Sequence, residues 1–191
     1  MMHEYLKETD CIDFSNPVIQ EKVMKLKHAA DSELDYIKKT YEFVRDEIPH
    51  SWDIKSQIVS RKASEVLINK TGICWTKSCL LAALLRANNI PAGISYQYLT
   101  RADDASDGYI IHALNTVYID SLKKWIRLDA RGNKPGVNAQ FGLEEEILAF
   151  SARPEFGEKD YRDNHCDLDS RLKEILKTSG SVLDIRTDFE I

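Results

Sequence analysis

The chain is poor in the residues that mark special classes of protein. Among 191 residues it has only 4 cysteines, 8 glycines and 5 prolines, and Cys11, Cys74, Cys79 and Cys166 form neither a CxxC pair nor a dense framework. A small disulfide-stapled scaffold is excluded, and reduced thiols are expected. Zinc finds little to bind, because a structural site needs four ligands in tight pairs and only the neighbours His165 and Cys166 come close. No metal and no other cofactor is expected.

Positive charge is not in excess either. The formal net charge is -5 and the basic residues are spread along the chain, so a nucleic-acid partner is not expected. No stretch approaches the roughly 18 apolar residues that a membrane span requires, and the first ten residues carry no apolar run, so no membrane partner and a cytoplasmic location are expected. Repeats, low-complexity tracts and Pro/Gly/Ser-rich linkers are missing as well. What is there, 43% hydrophobic and 30% charged residues, is ordinary globular composition. We expect one domain over 1–191, with a helical part over 1–50, the clearest core over 63–130 and a C-terminal extension over 131–191.

Periodicity and punctuation divide the chain further. Asn16 followed by Pro17 gives an N-cap and a first-turn proline to a helix reaching about Ala30. Ser32 with Asp35 caps a second helix, whose Leu34, Ile37, Tyr41 and Val44 share one stripe and which ends near Pro49. Residues 50–60 read as an extended loop, and Ser64 opens a short helix closed by Thr71 and Gly72. From Cys74 to Asn89 the helical run is apolar almost all round, the mark of a helix sunk in a core, and Asn88, Asn89 and Pro91 stop it.

Strands follow over 92–99, 109–119 and 124–129, joined by an Asp-rich loop and by a turn at 120–123. Helices first and an antiparallel meander after them predict an α+β fold with helices packed against the sheet. Past Arg131 the expectation is a helix near 143–150, another near 170–177, and a final stretch crossing the surface as an extended tail.

Three residues carry chemistry. Cys74 stands at the predicted start of the buried helix, where unpaired N–H groups and the positive end of the dipole favour a thiolate and supply donors to an oxyanion. Cys79 lies about 1.4 turns further in and reads as core. Cys166 and His165 fall in a polar tract read as loop, and neighbours in sequence do not converge on one point. His112 is flanked by Ile110, Ile111, Ala113 and Leu114, where an unpaired imidazole would be costly. Asp129 ends the next strand, and hairpin pairing brings it opposite or diagonally beside His112. A carboxylate there would take the proton of one ring nitrogen and leave the other for the thiol. Singly, each has a plainer reading: a small buried hydrophobe, a satisfied core histidine, a turn acid.

Together they sit in a string that resembles the bacterial transglutaminase-like core. It runs Ala63, Ser64, Glu65, Val66, Leu67, then Gly72, Ile73, Cys74, then Leu84 to Ala92 with its "LLRA" and "IPA" segments, then His112, Ala113, and Trp125 through Asp129. The resemblance covers about a third of the chain. It implies a papain-like fold with the nucleophile at the head of a buried helix, and the triad roles fall on Cys74, His112 and Asp129.

An upstream aromatic or polar side chain completes the oxyanion hole in that family, and His50 or Trp52 is the candidate here. Many members have a tryptophan two residues after the histidine where this chain has Leu114, so the acceptor-side wall is expected to differ. The loop acids Asp103, Asp104 and Asp107 lack a calcium-loop pattern and are read as solvated.

The implied function is cysteine-dependent acyl transfer on a peptide, protein or small amide substrate, with hydrolysis of peptide or amide bonds preferred over crosslinking. The alternatives are a protein-glutamine transglutaminase and a non-catalytic binding module; a structural protein with metal at His165 and Cys166 ranks below both. Nothing in the sequence sets the oligomeric state.

Overall fold

The computed structural model describes residues 2–102, 105–187 and 189–191. Asp103 and Asp104 lie outside the described residues; Asp107 ends a short 3-10 turn and is exposed. Five α-helices occur among the described residues: α1 (Pro17–Ala29), α2 (Glu33–Glu42), α3 (Ala63–Asn69), α4 (Cys74–Arg86) and α5 (Ser170–Thr178). They pack against a four-stranded antiparallel sheet of β1 (Ala92–Thr100), β2 (Tyr109–Ile119), β3 (Lys124–Leu128) and β4 (Lys159–His165), in the order β3-β2-β1-β4. This is the α+β arrangement expected from the sequence.

The early helices follow their signals. Asn16 caps α1 by accepting from the Val18 N–H at 3.1 Å, with Pro17 in the first turn. Ser32 caps α2 by accepting from the Asp35 N–H at 3.2 Å, and Tyr36, Ile37 and Tyr41 are buried along its inner face. Its end widens into a π-helical turn over Phe43–Glu47 before Pro49.

Helix α3 begins at Ala63, one residue before the expected Ser64. The Ser64 N–H and hydroxyl both donate to the Asp13 carboxylate, a partner far away in sequence. Lys62 takes the cap position, and Lys70, at φ 53°, ends the helix in place of Gly72. Gly72 instead bridges to His50. A Cβ on Gly72 would sit 2.8 Å from the Thr76 hydroxyl and 3.3 Å from Val66, so the close passage from α3 into α4 requires glycine there.

Every residue of α4 is buried. One cluster of buried side chains takes in Leu80, Leu81, Leu84 and Leu85 of α4 with Tyr41 of α2, Ile94 and Tyr96 of β1 and Val117 of β2. The β1–β2 register runs from Ala92 opposite Val117 to Thr100 opposite Tyr109, and β2–β3 from Asn115 opposite Leu128 to Ile119 opposite Lys124.

The C-terminal part departs from expectation in three places. Residues 143–150 form no helix: Gln140 bridges Ile147, and the Ala149 N–H leaves any helical ladder to bond the Asp129 carboxylate at 3.0 Å. Residues 159–165, read as loop, form β4. This edge strand is held by backbone pairing to β1 and by ion pairs such as Arg127–Asp160, so it shows no apolar alternation. The final stretch does not simply cross the surface, since Val182, Ile185 and Thr187 are buried. Helix α5 forms where expected. No helix among the described residues is long and apolar enough to cross a membrane.

Candidate active site

Cys74 is the first residue of α4 and is 9% exposed at the wall of a cavity of about 540 Å³. Two bonds lock α4 to β2 around it. Trp75, the next residue, gives its indole N–H to the Ile111 carbonyl at 2.7 Å, and the Asn115 amide donates to the Ser78 carbonyl at 2.9 Å. His112, on β2 between those anchors, is thereby set on the same cavity wall as Cys74.

Asp129 stands one step beyond the β2–β3 ladder. Extending the register places it beside Leu114, two residues from His112 on the same face. Its Oδ2 lies 2.8 Å from His112 Nε2. That leaves Nδ1 for the thiol. The carboxylate is fully buried and is also held by the N–H groups of Ala149 at 3.0 Å and Arg131 at 3.1 Å.

Burial raises the pKa of Asp129, but the charge and hydrogen bond of His112, with those two amides, hold it below the usual carboxylate range. Burial likewise opposes charge on His112, yet its interactions with Asp129 and Cys74 prevail and push its pKa up to about 10. Phe150 packs edge-on against the imidazole at 5.1 Å and seals that side.

His50 lies on the other side of Cys74. Its Nε2 is 3.2 Å from the Cys74 backbone nitrogen, and its Nδ1 is 3.3 Å from that of Trp52. Burial, then the charges of Arg131 and Lys77, press its pKa well below the usual histidine value, so the ring is neutral. A neutral imidazole has one acceptor nitrogen and cannot accept from both amides. At 3.2 Å the Cys74 N–H donates to Nε2, the shorter of the two contacts, which sets the His50 ring against the Cys74 amide.

Trp52 also lines the cavity, but its indole N–H is donated to the Val182 carbonyl at 3.1 Å and fastens the C-terminal segment. Leu114 is fully buried and is not part of the cavity lining.

A family model described as the transglutaminase-like superfamily matches residues 20–130, more than half of the chain. The chain belongs to the transglutaminase-like superfamily. No curated protein matches it. Among solved structures, a candidate cysteine protease from Cytophaga hutchinsonii is similar over 68% of this chain and 42% of its own, at 19% identity and TM-score 0.56. The periplasmic domain of TgpA from Pseudomonas aeruginosa is similar over 66% of this chain and 45% of its own, at 17% identity and TM-score 0.49. This transglutaminase-like chain therefore spans less than half the length of those two proteins.

The sequence did not point to Ala149, Phe150 or Arg131 as parts of the site. Their contributions are two backbone N–H groups and one ring edge, which leave no motif. Arg131 is anchored by Asp53, whose other oxygen bonds Lys134 as well, at 2.9 Å. Only the order Asp-Ala-Arg-Gly at the end of β3 hinted that Asp129 leads into a tight, hydrogen-bonded bend.

Proposed function

We propose that the protein is a cysteine-dependent acyl-transfer enzyme that hydrolyses peptide or amide bonds, with Cys74 as nucleophile, His112 as base and acid, and Asp129 as orienter. The observation that carries this reading is His112, bound through Nε2 to a fully buried Asp129 and facing the thiol at a helix N-terminus on a cavity wall.

The thiolate attacks the acyl carbon while the imidazolium holds the proton on Nδ1. The tetrahedral oxyanion forms at the head of α4, where the Cys74 N–H is its donor, shared with His50 Nε2. His112 then protonates the departing amine, the C–N bond breaks, and a thioester to Cys74 remains. Water entering the cavity loses a proton to His112 and attacks the thioester, and the acid leaves as Sγ recovers its charge. Throughout, Asp129 keeps the ring oriented and stabilises its positive form.

Trp52, Trp75 and Phe150 supply apolar wall, while Arg131, Lys134 and Arg153 bring polar groups to the same cavity and keep it open to water. That mixture supports hydrolysis over exclusive amine transfer.

Glutamine peptides and short acyl-amides are incubated with and without a primary amine, and ammonia, free acid and amine adduct are followed by mass spectrometry. Acid should dominate, and iodoacetamide should modify Cys74 before Cys166, Cys11 or Cys79. An adduct exceeding acid at millimolar amine identifies a transferase. First labelling elsewhere removes Cys74 as nucleophile.

A further inference from the structure

Lys77 lies one turn along α4 from Cys74 and is completely buried. A buried lysine costs far more than the leucines around it unless its ammonium is satisfied. Here it is satisfied by backbone alone: Nζ donates to the carbonyls of Ile48, Arg131 (2.8 Å) and Arg45 (3.4 Å). Three donors meet three acceptors.

Those acceptors belong to two segments that enter the site. Ile48 closes the turn that leads within two residues to His50, and Arg131 follows Asp129 by two and itself bonds the Asp129 carboxylate through its N–H. Gly132, at φ +110°, lets the second segment come this close, since a Cβ there would lie 3.2 Å from the Arg45 carbonyl and 3.4 Å from Nζ. Burial, then the charge of Arg131, lowers the pKa of Lys77 to about 7 against the pull of Asp129, Asp53 and Asp46. The ammonium is thus kept at an energetic cost that an apolar residue would avoid.

We propose that Lys77 is the positioning residue of the site, fastening the His50 segment and the Asp129 segment to the helix that carries Cys74. It touches no reacting atom. Its three bonds set the spacing between the nucleophile, the His50 ring at the nucleophile's amide and the carboxylate that orients His112. The assignment rests on the proposed Cys74–His112–Asp129 reading and adds a residue to it.

Arg86 at the far end of the same helix is the internal control. It too is a buried cation on backbone carbonyls, those of Ala92, Lys7 and Cys166, but none of these adjoins the site. Lys77→Met and Arg86→Lys are compared with wild type for thermal unfolding, kcat and KM on the best amide substrate, and the downfield proton resonance of the His112–Asp129 hydrogen bond, assigned by its loss in Asp129→Asn.

Displacement of catalytic groups by about an ångström is worth about 100-fold in rate. Folded Lys77→Met should therefore lose about 100-fold in kcat with little change in KM, and its His112 resonance should move or broaden. Arg86→Lys should melt lower with kcat and resonance unchanged. If folded Lys77→Met keeps kcat within about threefold, or if Arg86→Lys loses kcat equally, the positioning role is wrong. Should Lys77→Met not fold, Lys77→Gln, which keeps two N–H donors, decides by the same readouts. Cys74→Ala runs alongside: turnover retained there overturns the nucleophile reading itself, independently of Lys77.

Discussion

Residues 63–130 and 131–191 differ in how much of each is enclosed by packing and how much is laced by charge. The first part is held by apolar burial, with a helix enclosed on all sides and strands whose register places His112 diagonally from Asp129. The second is joined to it by burial of Leu172, Leu176, Val182 and Ile185 in the same core, by the pairing of β4 with β1, and by polar bonds such as Arg127 with Asp160 and Arg153 with the Thr100 hydroxyl. The first supplies Cys74, His112 and Asp129. The second supplies Ala149 and Phe150 around them, together with Ser151, Arg153, Ile185 and Thr187 of the cavity wall. The proposed triad thus lies in the part most completely enclosed by packing, and the second part adds polar and charged side chains to a cavity wall that both parts share.

The sharpest way to break this division is to strike the chemistry without touching the packing. Asp129→Asn keeps the shape of the side chain but can misorient the imidazole and cannot stabilise its charge, so turnover should fall about 10⁴-fold with an unchanged circular dichroism spectrum. A loss within about threefold would reduce the triad to a Cys–His pair.

How legible each part was follows from the same forces. Apolar burial leaves a period in the sequence, so the strands around His112 could be placed to within a residue and the helix from Cys74 to within three at its end. Ion pairs leave none. Residues 159–165, Lys-Asp-Tyr-Arg-Asp-Asn-His, read as loop because an edge strand facing water has no apolar face to declare. A helix was expected near 143–150, and no local rule could announce that the Ala149 amide is claimed by Asp129. Lys77 was passed over for a related reason: a lysine inside an apolar run reads as a flaw until its three carbonyls are seen. Of the two candidates for the oxyanion side chain, only geometry separates His50, at the Cys74 amide, from Trp52, bonded to the tail.

Stability measurements should sharpen the contrast. Leu81→Ala, in the fully enclosed helix, should destabilise the whole protein by about 2–5 kcal/mol in urea unfolding, with little dependence on salt. Asp160→Ala, which leaves Arg127 to Glu146, should cost about 1 kcal/mol and less in high salt. Equal costs with equal salt response would erase the distinction.

The smallest effect is one of pH. Burial raises the Glu158 carboxyl, but Arg153 and Thr100 outweigh it and hold its pKa down at about 2, from an ordinary value of 4.5. A depressed folded pKa contributes stability above the unfolded value that is lost as pH falls toward the folded one. The wall around Arg153 should therefore loosen between about pH 4.5 and 2, seen as protease cleavage within 131–191 while the near-ultraviolet signal of Trp75 persists.

A helix enclosed on every side has a kinetic consequence. Its amides can meet solvent only when the entire core opens, whereas the loops over 131–157 need break only a few exposed bonds. Deuterium should accordingly reach the loops early and Cys74–Arg86 last. Cys74, the proposed nucleophile, thus belongs to the slowest-opening unit of the chain and the doorway to a fast one, so that wall can open and close without the sulfur losing its place.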